Sequence, residues 1–295
     1  MVIHLITSML PPVFILFLLP TATVRKAWLP KFWLFTNGFP RLMILQTKGI
    51  VFQYFKYGDT SLVVKIFTEE LGLQSYIVKG IRSKKAKLKP ALFEPLTLLD
   101  LEVYHKPGQN LQHIKEARVD YPWHHIPFSI EKQSILLFLD EILYKCVREE
   151  ISNKELFQWI YHSLVWFDLE EQYFLNFHLF FLLQLSRFLG FYPKMDTTSD
   201  EIPGVFDLQD AGFSAHRPFH PYFTEGVAAQ KLFVLMQTST ESLKTLHIST
   251  KERRLVLDTL LTFYQLHLPE LGKIKSLNVL RMMMGNSHPG KPANS

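Results

Sequence analysis

One short stretch of the chain has the residue types and the spacing to bind a polyanion. In "VKGIRSKKAKLKP", residues 78 to 90, six of the thirteen positions are cationic and none is acidic. A run of lysine and arginine in a loop can follow a phosphate backbone without reading its sequence. The alternative is a solvated loop that only keeps the protein soluble. The candidate DNA-binding cations are Lys79, Arg82, Lys84, Lys85, Lys87 and Lys89.

A group of aromatic side chains upstream could add contacts to bases. Phe52, Tyr54, Phe55 and Tyr57 lie within six consecutive residues. Alternate residues of a strand face opposite sides, so one side could offer rings for base stacking while the other joins the core. The tyrosines are the stronger candidates, because phenylalanine is more often buried. We therefore expect Tyr54 and Tyr57 to contact DNA.

The sequence gives little support to catalysis or to a metal site. It has no GxxxxGK[ST] phosphate loop, no HExxH motif and no GxSxG elbow. Its single cysteine, Cys146, excludes both an intramolecular disulfide and a cysteine-based zinc cluster. His216 and His220 are spaced like zinc ligands on a helix, but neighbouring prolines disfavour a helix there and no acid or thiol is spaced to complete a set. We predict no enzymatic activity, no cofactor and no bound metal.

Two kinds of periodicity indicate which elements position these residues. From residue 44 to 118, five runs rich in β-branched and aromatic residues are separated by turn signals, which predicts a small β barrel of the OB-fold type. After Tyr121 the pattern becomes helical, and a capping box of Ser249 and Glu252 opens one of the later helices. Asp140 and Glu141 are interpreted as acids on a helix surface. The predicted fold class is α+β, with an N-terminal small β barrel (OB-fold) followed by an α-helical domain.

The predicted domains differ in charge. Residues 43–123 carry 12 basic and 8 acidic side chains, whereas residues 124–295 carry 16 and 19. Residues 1–42 carry four basic side chains and no acid, so the basic character lies N-terminal. The predicted divisions are 43–122, a DNA-binding barrel; 123–285, a helical domain with a short hairpin insertion near 205–215; and 286–295, a disordered tail.

The first 42 residues fit none of these elements. Their apolar stretch, Ile3 to Leu19, is interrupted by Pro11 and Pro12, and its cations follow it rather than precede it. A secretory signal has the opposite order, and a span of the bilayer needs about 20 apolar residues. We favour a non-native or disordered extension that arises from a misplaced start. The alternatives are a membrane or export segment, which would make the chain a membrane-associated interaction protein, and an ordered appendage.

Three segments resemble a known family: "TKGIVFQYFKYGDTSLVVKIFTEELGLQSYIVKGIRSKKAK", "LLQLSRFLGFYP" and "GKIKSLNVL". They are similar, in order and spacing, to the RecO family of bacterial DNA repair and recombination proteins. The resemblance implies binding of single- and double-stranded DNA, strand annealing, and work with RecR and single-strand-binding protein to help load RecA. It also implies a cytoplasmic, nucleoid-associated location. Many members carry a four-cysteine zinc site after the segment that matches "GFYP", but no cysteine follows that segment here.

The helical domain is the expected place for protein contacts. An acidic peptide, such as the C-terminal tail of single-strand-binding protein, would bind an apolar groove rimmed by cations. The alternative is ordinary helix surface. The candidate partner-binding residues are Arg187, Arg253, Arg254, Lys273 and Lys275.

Overall fold

The computed structural model of the chain describes residues 42–81, 83, 88–148, 150–195 and 204–285. Apart from Leu42, the N-terminal extension lies outside the described residues. So does the predicted disordered tail at 286–295. Of the six cations in the basic stretch, only Lys79 and Lys89 are described.

Five strands rich in β-branched and aromatic residues close into a barrel. They are β1 (Met43–Tyr57), β2 (Ser61–Thr68), β3 (Gly72–Val78), β4 (Leu98–His105) and β5 (Gln112–Tyr121). Around the barrel the strands follow the order β1-β2-β3-β5-β4. All neighbouring pairs are antiparallel except the short pairing of β3 with β5. The predicted OB-type barrel is confirmed.

A glycine allows β1 to join both of its neighbours. Gly49 pairs with Thr68 of β2 and with Leu99 of β4. A Cβ atom at this position would lie 2.7 Å from Cγ2 of Ile66 and 2.7 Å from Cδ1 of Leu101, both of which are buried in the barrel. Such a distance is well inside van der Waals contact between carbon atoms. The backbone therefore approaches the barrel interior more closely here than a larger residue would permit.

Six α-helices follow the barrel among the described residues. They are α1 (Ile130–Cys146), α2 (Lys154–Leu169), α3 (Phe177–Phe188), α4 (Val227–Met236), α5 (Thr250–His267) and α6 (Leu277–Gly285). α3 is apolar on nearly every side and almost wholly buried. Gly190, with φ of 87°, follows its end, and the capping box of Ser249 and Glu252 opens α5. Within the described residues, no helix combines the length and apolarity needed to cross a membrane.

A small sheet lies between α3 and α4. Its strands, β6 (Val205–Asp207), β7 (Gly212–Ser214) and β8 (Phe223–Glu225), follow the order β7-β6-β8. The β6–β7 pair is the predicted hairpin, whereas β8 was not predicted. Phe206 packs on Phe213 at 4.6 Å and on Phe263 of α5 at 5.4 Å between ring centroids. Aromatic packing thus holds the sheet against the helices.

A buried carboxylate joins the end of the barrel to the helices. Asp168 of α2 accepts hydrogen bonds from Tyr121 Oη and from the backbone N–H groups of His124, His125 and Ile126, at 2.8 to 2.9 Å. Burial raises the pKa of this carboxyl, but the four hydrogen bonds outweigh it and hold the pKa below its usual value. The backbone of the two adjacent histidines thus helps to hold the junction between barrel and helices.

The interpretation of Asp140 and Glu141 as surface acids is wrong. Asp140 is buried, and Glu141 accepts hydrogen bonds from the backbone N–H groups of Lys275 and Ser276 at 2.9 and 2.8 Å. Glu141 therefore caps the start of α6, where unpaired N–H groups need an acceptor. α6 packs against α1, and a pattern within α1 alone could not indicate that contact.

Candidate nucleic-acid interface

The outer half of the β1–β2 hairpin extends beyond the closed part of the barrel. β1 pairs with β4 only from Met43 to Ile50, but with β2 from Gly49 to Tyr57. Residues 53–57 therefore have a neighbouring strand on one side only, and their side chains are open to solvent. Exposed fractions are 40% for Tyr54, 45% for Phe55 and 56% for Tyr57.

The strand register divides these aromatics between two faces. Phe55 lies opposite Val63, and Tyr57 lies opposite Ser61. Tyr54 lies opposite Val64, which is buried inside the barrel. Directly opposed residues of an antiparallel pair share a face, so Phe55 and Tyr57 lie on the outer face and Tyr54 on the other.

Phe52 has the buried position that the sequence favoured, but Phe55 does not. Phe52 stacks on Phe67 at 5.8 Å, and Phe67 packs on Phe157 of α2 at 5.7 Å between ring centroids. The helices therefore cover the outer face of the hairpin next to the bulge between Val51 and Gln53. Beyond that point the face is uncovered, which is why Phe55 is exposed although phenylalanine is usually buried.

The basic stretch begins at the same end of the barrel as this hairpin. Val78, the residue before Lys79, pairs with Leu62, and Leu62 in turn lies opposite Lys56 near the hairpin tip. Adjacent strands lie about 4.8 Å apart, so Lys79 leaves β3 about 10 Å across the sheet from the end of β1. Cations and exposed aromatics are thus brought to one edge.

Buried anchors fix both ends of the basic stretch. Ile81 is 2% exposed and Phe93 is fully buried, and both join the cluster that fills the barrel. Phe93 belongs to a short 3₁₀ helix that begins at Pro90, directly after the exposed Lys89. Arg82, Lys84, Lys85 and Lys87 lie outside the described residues, between these two anchors.

Three cations elsewhere on the barrel have carboxylate partners, whereas Lys106, directly after β4, has none among the described residues. Lys48 pairs with Asp120 at 2.8 Å, and Lys115 pairs with Glu102 at 2.8 Å. Arg118 likewise pairs with Asp100, at 2.5 Å. By contrast, Lys56, Lys65, Lys79 and Lys89 form no ion pair with any carboxylate among the described residues. Uncompensated positive charge therefore lies on the side of the barrel that also presents the aromatics.

Four of the five cations predicted to bind a partner are exposed. The guanidinium of Arg187 lies 4.3 Å from the ring centroid of Tyr192. Arg254 donates to the carbonyl of Arg281 at 3.4 Å. Lys273 and Lys275 lie in the segment before α6, which α1 holds through Lys145 and Glu141. The fifth cation has a different environment.

Arg253 is 7% exposed, which corrects its expected position on the helix surface. Its Nε donates to Asn176 Oδ1 at 2.9 Å, and its Nη2 donates to the carbonyl of Ile248 at 3.0 Å. Among the described residues it pairs with no carboxylate. Burial lowers the pKa of its guanidinium, but arginine is so strong a base that the group stays charged at neutral pH.

Arg253 also lines a cavity of about 550 Å³. Apolar side chains contribute much of its wall, with the ring of Tyr173 and the capping box of α5 at its edge. Sequence reasoning missed this cavity, because it joins residues 172–176 to residues 243–253 and neither segment carries a recognisable motif. The lining residues are Gln172, Tyr173, Leu175, Asn176, Leu243, Leu246, His247, Ile248, Ser249, Glu252 and Arg253.

Three side chains of the small sheet lie close enough to hold a metal ion. Single ligand atoms of Asp207, Asp210 and His220 lie within 4.8 Å of one another. Sequence reasoning considered His216 and His220 but missed the two aspartates, which reach His220 through the pairing of β6 with β8. Hydrogen bonds already account for the arrangement: His220 Nε2 lies 3.1 Å from Asp207 Oδ2, and His220 Nδ1 accepts from the backbone N–H of Tyr222 at 3.3 Å.

Two family models match successive parts of the described fold. Residues 43–122 match the N-terminal region of recombination protein O, and residues 127–278 match its C-terminal region. The chain belongs to the RecO family. The boundary between the two regions falls at the Asp168 junction, where Tyr121 closes the last barrel strand.

Several RecO proteins are similar over most of their length. A DNA repair protein RecO of Phocaeicola vulgatus is 40% identical over 240 residues, which cover 81% of this chain and 98% of the relative. One of Bacteroides fragilis is 41% identical over 241 residues, with the same coverage of each chain. One of Flavobacterium psychrophilum is 36% identical over 243 residues, again covering 81% and 98%.

Proposed function

We propose that this RecO protein is a DNA-binding recombination mediator without catalytic activity. It would bind single- and double-stranded DNA, anneal complementary strands, and help load RecA together with RecR, in the cytoplasm at the nucleoid. The observation that carries the proposal is the register of β1, β2 and β3, which brings Lys79 and the exposed aromatic hairpin to one edge of the barrel. That edge also carries cations without carboxylate partners.

The chemistry of this edge suits a mediator. Lysine contacts to phosphates hold a strand by its backbone and leave its base edges free, so the same contacts serve any sequence. A protein that holds a single strand in this way keeps it available for pairing with its complement. The predicted backbone contacts are those of the basic stretch, from Lys79 to Lys89.

The test replaces Lys84, Lys85, Lys87 and Lys89 together by alanine. Each phosphate contact contributes about 0.7 to 0.9 to the slope of log K against log salt, so the loss of two contacts lowers that slope by about 1.5. We expect weaker binding of single- and double-stranded DNA, similar across sequences. Titrations at four salt concentrations measure both quantities.

The matched control replaces Lys115 and Arg118, which are cations of the same barrel with carboxylate partners. We expect this control to keep the wild-type salt slope. A folded quadruple variant with unchanged affinity and unchanged slope would show that the basic stretch is only solvated surface.

A second proposed contact is with the acidic C-terminal tail of single-strand-binding protein. The 550 Å³ cavity supports it, because its apolar wall suits a hydrophobic side chain and Arg253 supplies an unneutralised cation for a carboxylate. Arg254 lies next to Arg253 in the chain. Arg187, Lys273 and Lys275 do not line this cavity, and their contact with a partner stays a prediction.

Binding of a fluorescent peptide with the sequence of that tail tests the second contact. We expect Tyr173→Ala to weaken binding about tenfold or more, because this ring lines the cavity. Tyr222→Ala is the matched control, since Tyr222 is equally exposed, at 46%, and does not line the cavity. Equal affinities for the two variants would place the tail elsewhere.

A further inference from the structure

The uncovered part of the hairpin has one face with the composition of a base-stacking surface. On β1 it carries Phe55 and Tyr57, and on β2 it carries Val63 and Lys65. Lys65 belongs to this face because it lies opposite Gln53, two residues from Phe55. The face continues the aromatic packing of Phe52, but its Phe55 and Tyr57 side chains are exposed.

Charge favours a nucleic acid over a protein as the occupant of this face. The hairpin from Gln53 to Lys65 and the adjoining end of β3 carry Lys56, Lys65 and Lys79. Their single acid is Asp59, in the turn. An exposed aromatic surface bordered by an excess of cations can bind a nucleic-acid strand, whose bases stack on the rings while its phosphates contact the cations.

The spacing of the two rings favours single-stranded over double-stranded DNA. Side chains two positions apart on a strand are about 7 Å apart. Bases in a duplex follow one another at about 3.4 Å and offer only their edges in the grooves. Rings 7 Å apart can therefore stack only on bases that have left a duplex or were never in one.

We propose that Phe55 and Tyr57 form a base-stacking surface that binds single-stranded DNA in preference to duplex. The proposal rests on the DNA-binding function proposed above. It gives the two parts of the interface different tasks, since the basic stretch contacts the backbone of either form and the outer hairpin face contacts unpaired bases. Tyr54, on the other face, is not part of the surface.

The experiment compares Phe55→Ala/Tyr57→Ala in the full chain with Tyr222→Ala, which removes a similarly exposed ring outside the barrel. Affinities are measured for an oligo-dT strand and for a duplex of mixed sequence, at several salt concentrations. We expect the double variant to lose at least about 30-fold in affinity for the single strand, the loss of two base stacks. Its affinity for duplex should stay within about twofold of wild type, with the salt slope unchanged. Tyr222→Ala should resemble wild type.

A second variant measures the contact directly. Phe55→Trp keeps an aromatic ring in place, and its fluorescence should be quenched by oligo-dT but not by duplex, in a difference titration against wild type. Thermal unfolding of every variant verifies that the fold is kept.

The possible outcomes separate this proposal from the one it rests on. If wild type binds neither form of DNA, the proposed function fails. If wild type binds DNA and the double variant binds the single strand equally well, or loses both forms equally, the stacking surface alone is refuted. A loss in Tyr222→Ala as large as in the double variant would also refute it.

Discussion

The phenol of Tyr121, at the end of the barrel, donates a 2.9 Å hydrogen bond to the carboxylate of Asp168, at the end of α2. Three backbone N–H groups of the connecting segment point at the same carboxylate. Lys132 Nζ donates to the carbonyl of Asp168 at 2.7 Å and so completes the junction from α1. The fully buried carboxylate of Asp168 is tolerated because four hydrogen bonds stabilise it, and it in turn satisfies four donors that need an acceptor.

Asp168→Asn should destabilise the protein by about 3 kcal/mol, since the amide nitrogen would face hydrogen-bond donors and leave buried groups unsatisfied. Because the folded-state pKa of Asp168 is depressed, its contribution is complete above the unfolded value of about 4 and is lost as pH falls through the folded pKa. Denaturant unfolding from pH 3 to 7 should therefore show a smaller acid-induced loss in the variant. Tyr121→Phe, which removes one donor only, should cost less. Equal stability of wild type and Asp168→Asn would contradict the assigned role.

Asp140 should have the opposite pH dependence. Burial, with a smaller effect of the Glu141 charge, raises the pKa of Asp140 to about 8. The folded protein then holds a proton that the unfolded chain loses above about pH 4, so stability falls as pH rises from about 4 to 8. Asp140→Asn cannot ionise and should flatten this decline. Melting temperatures from pH 5 to 9 measure it, with Glu155→Gln as an exposed control; parallel pH profiles for Asp140→Asn and wild type would exclude the buried proton.

The small sheet should not need a metal. Its packing is aromatic, and Arg217 holds Glu225 through two hydrogen bonds of 2.7 and 2.6 Å. We expect dialysis against EDTA to leave the melting temperature unchanged and elemental analysis to find no stoichiometric zinc. His220→Ala should still lower stability, because Asp207 loses its partner. About one zinc per chain, removed by EDTA together with stability, would overturn this prediction.

Gly49→Ala should destabilise the barrel by about 1 to 3 kcal/mol, because the added methyl group would overlap Ile66 and Leu101. Gly204→Ala is the matched control, since a Cβ atom there meets no atom within 4 Å. Its effect should stay within about 0.5 kcal/mol. Denaturant unfolding of the two variants compares the sites, and a tolerated Gly49→Ala would mean that the barrel can relax around β1.

Local periodicity was enough to predict the barrel, the helices and the β6–β7 hairpin, because each of these depends on neighbours in the sequence. Burial of charged residues was not predictable in the same way. Arg253 is charged and was therefore expected at the surface, although it lies three and four residues before Val256 and Leu257 on the buried face of α5. The group that satisfies it there, Asn176, lies 77 positions away. Phe55 has the residue type of a core position and is exposed because β4 stops pairing at Ile50. In both cases a distant chain segment decides the environment.

For the candidate interface, the sequence identified the cations and the tyrosines but could not divide them between faces. The bulge between Val51 and Gln53 shifts the register of β1, and a shift by one residue exchanges the two faces. Only the pairing of Phe55 with Val63 shows which aromatics lie together. The cavity beside Arg253 had no signal in the sequence.

Phe67 lies between Phe52 and Phe157, so a single hydrophobic cluster runs from the barrel wall into the helices. Residues 43–122, cut from the rest, would leave Phe52, Phe67 and Leu98 without cover. The two regions should consequently unfold in one cooperative thermal transition and become susceptible to proteolysis together. During evolution neither region could be exchanged alone. A barrel with a new DNA preference would have to arise by substitutions at its open edge, or be acquired together with the helices that cover it.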